Sequence, residues 1–173
     1  MKALKTAMIA VAATRSLNAP LPCDAKRCEE IKAAVVKGFG KPLPREAANL
    51  VTELVSCYPH LNAKDGNLRV FMAKLSLVFE AHSIAAARHV LDPVSGFVGS
   101  SDWLTIGNVN LALEDFENEQ RAVVAAAEWI IDEHARRELS DAEARQIEAE
   151  KSTFTTRHDG KTPLEVAKER LAQ

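Results

Sequence analysis

The side chains that could hold a metal or attack a bond are few and scattered. Cys23 and Cys28 stand with four residues between them, but no second pair follows at zinc-ligand spacing, so they read as packing residues on a helix edge. Cys57 brings the count to three, an odd number without a disulfide framework, which predicts reduced thiols in a cytosolic protein. The histidines His60, His82, His89, His134 and His158 lie far apart, and none neighbours a Ser or Cys in a recognisable nucleophile turn. His134 has Ile131 where a Glu-x-x-His ligand motif needs a carboxylate, and it reads as a core or interface residue. The expectation is therefore no catalytic residue, no metal and no cofactor.

Two further patterns imitate chemistry. Gly160-Lys161-Thr162 has the tail of a phosphate-binding loop, but Thr155 stands where the loop needs Gly and no strand precedes it. The carboxylates Glu114, Asp115, Glu117 and Glu119 suggest an acid and base pair or a cation cradle. Glu114 and Asp115 fall outside the apolar stripe of their helix and Glu117 and Glu119 flank it, which predicts a solvated face.

These residues depend on one dominant element. Ile106, Val109, Leu113, Phe116, Gln120, Val123, Ala127, Ile130 and His134 recur at alternating spacings of three and four, a heptad stripe. A helix from Thr105 to about Glu138 would run roughly 50 Å. Val124 and Ile131 widen the seam and favour packing against the chain's own helices, while the polar Gln120 keeps open a homodimer through the long helix.

Upstream, short helices fit between proline and glycine breaks. Residues 3 to 14 form an apolar helix, and Pro20 and Pro22 mark a linker. Asp24 caps a helix to about Lys37 with Cys28, Ile31 and Val35 inward, and Gly38 to Pro42 stops it. Pro44 opens a helix carrying Ala47, Leu50, Val51, Leu54, Val55 and Tyr58, closed by Pro59. Asp65 caps the next, in which Leu68, Phe71, Met72, Leu75, Val78 and Phe79 cover so much of the circumference that it should be the most buried helix. Ser83 caps a short helix from Ile84 to Leu91, and a Gly- and Ser-rich loop from Leu91 to Asp102 leads to Trp103. Trp103 can anchor that loop or serve as an exposed partner contact.

Downstream, Ser140-Asp141-Ala142-Glu143 is a capping box that predicts a kink or restart and a polar segment to about Lys151. Residues 152 to 161 lack periodicity and read as a flexible tether. Thr162-Pro163-Leu164-Glu165 opens a short amphipathic helix with Leu164, Ala167 and Leu171 on one side, suited to a partner's groove.

The 173 residues are 47% hydrophobic but only 5% aromatic, an Ala-, Leu- and Val-rich supply that suits closely packed helices. The fold class expected is all-α: a small helical bundle with one long C-terminal helix and a flexible tail. Its parts are an N-terminal helix and linker (1–22), a helical domain (23–150) and a tail with a short helix (151–173). The start of the chain imitates a signal peptide, but Thr14-Arg15 closes its brief apolar run, and no run approaches the roughly 20 apolar residues of a membrane span. A cytoplasmic protein without membrane contact is expected. Net charge is -2, yet residues 1 to 45 hold nine Lys or Arg against three Asp or Glu. That basic part could meet phosphate, so a nucleic-acid-binding accessory protein is the alternative function class.

The order Cys57-Tyr58-Pro59-His60, hydrophobic helix, Ala-rich helix, Asp92-Pro93-x-Ser95-Gly96-Phe97, then Trp103-Leu104-Thr105-Ile106 resembles small helical proteins of phages and prophages. Some of these are similar to helicase loader or inhibitor proteins of phage replication. The resemblance covers about residues 47 to 116, and the chain departs from it in lacking a proline between Leu104 and Thr105. It implies a non-enzymatic adaptor that docks on a larger protein such as a replicative helicase, with Trp103, Leu164, Ala167 and Leu171 as candidate partner-binding residues.

Overall fold

The structure, a computed structural model, describes residues 2–15, 19–58, 66–100, 104–157 and Lys168. Among the described residues the secondary structure is entirely helical: α1 (Lys2–Thr14), α2 (Ala25–Lys37), α3 (Pro44–Ser56), α4 (Gly66–Ala81), α5 (Ile84–Val90), α6 (Phe97–Ser100) and α7 (Ile106–Arg157). The all-α bundle with one long C-terminal helix is what composition and periodicity led us to expect. The chain divides into two compact units, Met1–Ile130 and Ile131–Gln173. No described helix is long and apolar enough to cross a membrane.

Local signals set the starts of α2 and α3. The Asp24 side chain accepts the Arg27 N–H at 2.7 Å and starts α2; Pro44 occupies the first turn of α3. Gly38 closes α2 with a right-handed φ of −79°, so its lack of a side chain answers a different need. A Cβ on Gly38 would lie 2.9 Å from the Cβ of Ala85, because the turn after α2 is pressed against α5.

Leu75 and Phe79 of α4 pack with Val51, Leu54 and Tyr58 in one core, and Phe71 and Met72 flank it, as their spacing predicts. α5 adds Ala86, Ala87 and Val90, and α7 adds Val109 and Leu113. Farther along α7 the seam residues Val123, Ala127 and Ile130 are buried, as are Met8 of α1 and Cys28, Ile31 and Val35 of α2. Lys5 donates to Gln120 at 3.3 Å and Lys32 pairs with Glu128 at 2.7 Å, so both N-terminal helices are fastened to the middle of α7. Gln120 thus meets a cation of its own chain.

Three sequence expectations are corrected. α4 is not the most buried helix, since Val70 and Leu77 are 56% and 66% exposed; breadth of apolar sequence did not equal breadth of contact. The loop before residue 104 contains a helical turn, α6, whose Phe97 is buried against Tyr58, ring centroids 6.5 Å apart. The capping box at Ser140 opens nothing: α7 passes through it and continues to Arg157, so residues 152–157 are helical. Exposed Glu, Arg and Ala residues keep this stretch helical, and good helix formers outweigh one local start signal.

Candidate functional site

The most elaborate polar cluster lies where α4 ends and α5 begins. Ser83 takes the extended backbone of an N-cap, φ −72° and ψ 150°, and its hydroxyl accepts the Ala86 N–H at 3.3 Å. Its own backbone N–H donates to Glu117 Oε1 of α7 at 2.6 Å. The next two donors turn to the α2–α3 connection: Ile84 N–H reaches the Gly40 carbonyl at 2.7 Å, and Ala85 N–H the Gly38 carbonyl at 3.2 Å. Four successive amides at the start of a seven-residue helix are therefore met by three different stretches of chain.

Around Glu117 stand His82 and Arg121. His82 Nε2 lies 3.1 Å from Asn110 Oδ1, while its buried Nδ1 makes no hydrogen bond and faces Glu117 Oε2 at 3.5 Å. Arg121 donates to the same oxygen at 3.2 Å. Burial, the largest single influence, pushes the Glu117 carboxyl upward. The Ser83 amide and hydroxyl together with His82 outweigh it and hold the group below its ordinary value. A buried carboxylate bonded to a backbone amide and paired with Arg121 stays ionised.

A cavity of about 320 Å³ opens beside this cluster, lined by Phe39, Lys41, Ala81, Ser83, Glu117 and Arg121. The residue types Ser, His and Glu are those of a nucleophilic triad, but their geometry is not. The Ser83 hydroxyl is committed to the cap, and Glu117 aligns the Ser83 backbone instead of the imidazole. The arrangement can fix α5 between α7 and the α2–α3 connection and hold a buried negative charge beside the cavity.

Of the four carboxylates expected on a solvated face, Glu114, Asp115 and Glu119 are exposed there, but Glu117 is buried. Its position next to the seam residue Phe116, four before Arg121, is the signal that could have marked it. Phe116 itself stacks on His89 of α5, centroids 4.3 Å apart. In the second unit, Glu133 is buried and held down to about 2 by hydrogen bonds from Arg136 and Arg137. Trp103, Leu164, Ala167 and Leu171, the expected partner contacts, lie outside the described residues, as does, Lys168 apart, the short helix expected from Pro163.

Set against protein-family models, curated proteins and solved structures, the chain matches none.

Proposed function

We propose that the chain is a non-enzymatic adaptor of phage or prophage type that binds a larger protein, with a replicative helicase as the partner class that its sequence resemblance implies. The observation that carries the reading is the two-sidedness of α4. Leu75 and Phe79 fill the core, while Val70 and Leu77, seven residues apart and about half a turn away, are 56% and 66% exposed. Large aliphatic side chains aligned on an outer helix face form the kind of surface that protein partners cover.

The placement of cations favours a protein partner over nucleic acid. On α2, Lys26 and Lys37 lie opposite the buried face, with Arg27 and Lys32 on its two flanks. Arg27 pairs with Glu30 at 2.8 Å and Lys32 with Glu128 at 2.7 Å, so part of the N-terminal positive charge is neutralised within the chain. A backbone-tracking surface needs its cations on one face.

The test is biolayer interferometry of the full chain on immobilised replicative helicase and, separately, on duplex DNA. Binding to the helicase that Leu77→Asp weakens at least about tenfold, with an unchanged melting curve, is the expected result. No binding to the helicase, or steeply salt-dependent binding to DNA that Leu77→Asp leaves intact, would overturn it.

A further inference from the structure

Cys23 and Cys28 bring their sulfurs to 2.8 Å of one another. Cys28 is buried on the inner face of α2, whereas Cys23 is partly exposed and immediately precedes the cap Asp24. The third thiol, Cys57, is exposed at the end of α3. Bonded sulfurs sit about 2.05 Å apart, so closing the pair requires an approach of roughly 0.8 Å. Cys23 lies outside the helix, and its backbone can supply that movement without breaking a turn of α2.

We propose that Cys23 and Cys28 form a redox modification site, a dithiol that a small-molecule disulfide converts to an intrachain disulfide, fastening the segment before Asp24 to α2. The partly exposed Cys23 reacts first. Its thiolate attacks one sulfur of the external disulfide, forming a mixed disulfide and expelling a small thiolate, which takes up the proton Cys23 released. Cys28 Sγ then attacks Cys23 Sγ; the bond from Cys23 to the small thiol breaks, and the departing thiolate takes the Cys28 proton. In total two electrons and two protons pass from the pair to the external disulfide, which leaves as two thiols.

The surroundings set this order. The Cys28 thiol is pushed up to about 12, first by burial, then by the hydrogen bond and charge of Cys23 and the charge of Asp24. It is a poor opening nucleophile. Once Cys23 carries the small thiol, its own upward influence on Cys28 is gone and the second step becomes easier.

The consequence reaches α1. That helix joins the bundle through buried Met8 and the Lys5–Gln120 hydrogen bond, and the chain leading from it to α2 passes through Cys23. The disulfide would add a covalent tie between that connection and α2.

The experiment uses the full chain carrying Cys57→Ser, incubated with excess oxidised glutathione and read by intact mass and by thiol titration after denaturation. The expected product is lighter by two hydrogens, has no titratable thiol, and regains both thiols on reduction. A lasting glutathione adduct on Cys23, or two thiols still titratable, would overturn the proposal. In the same background Cys28→Ser should stop at the adduct on Cys23. If that variant takes up no glutathione there, the assignment of Cys23 as the attacking group fails.

Discussion

Glu117 Oε1 on α7 accepts the backbone N–H of Ser83 at 2.6 Å, across 34 positions of sequence. Removing the carboxylate leaves a buried amide without its acceptor, which typically costs about 1 to 3 kcal/mol. Glu117→Ala should lower unfolding stability by that amount in chemical denaturation. Glu117→Gln keeps an acceptor oxygen and should lose less.

The same carboxyl sets a pH dependence. Its folded value lies below its ordinary 4.5, so its contribution is fully present above that value and fades as pH falls through the depressed one. The stability gap between the native chain and Glu117→Gln should be flat near neutrality and narrow in acid. Paired denaturation curves at neutral pH and at successively lower pH would measure it, and a gap that widens in acid would contradict the assignment.

Leu75 is completely buried in the core between α3, α4 and α7. Leu75→Ala should cost roughly 2 to 5 kcal/mol. An unchanged thermal midpoint would show that the core had been placed on the wrong residues.

Two glycines should respond to alanine with opposite signs. Gly38 has Ala85 Cβ 2.9 Å from where its own Cβ would stand, so Gly38→Ala forces α2 and α5 apart and should destabilise. Gly107, in the first turn of α7, has open space at that point. Gly107→Ala should stabilise by about 0.5 to 1 kcal/mol through helix propensity. Thermal melts of the two variants would separate steric contact from backbone entropy.

Ser140 tests the continuity of α7. A true N-cap typically loses ~1 kcal/mol on replacement by Ala, whereas a mid-helix Ser gains slightly from it. Since α7 runs unbroken through Ser140, circular dichroism of Ser140→Ala should show helix content equal to or above that of the native chain.

The heptad stripe, the Asp24 and Ser83 caps, Pro44 at the start of α3 and the pairing of Leu75 and Phe79 with Val51 and Leu54 were all legible in sequence. Each is written in local spacing. What escaped was decided by distant partners. The burial of Glu117 depends on Ser83 and His82, and the tight turn at Gly38 on Ala85. The expected burial of α4 all round fails at Val70 and Leu77, because among the described residues nothing covers that side of the helix enough to bury them. The Ser140 box misled for the converse reason: a start signal acts only where the preceding chain leaves the helix.

The cap of α5 also bears on the order in which the chain folds. A seven-residue helix is far below the length that holds together in water, and its first amides are taken by Gly38, Gly40 and Glu117 from either side in sequence. It cannot form until both flanking stretches have arrived. α5 should therefore consolidate late, and exchange of the Ser83, Ile84 and Ala85 amide hydrogens with solvent should require the opening that separates α2, α5 and α7 together. A seven-residue helix would then report on the cooperativity of the whole first unit.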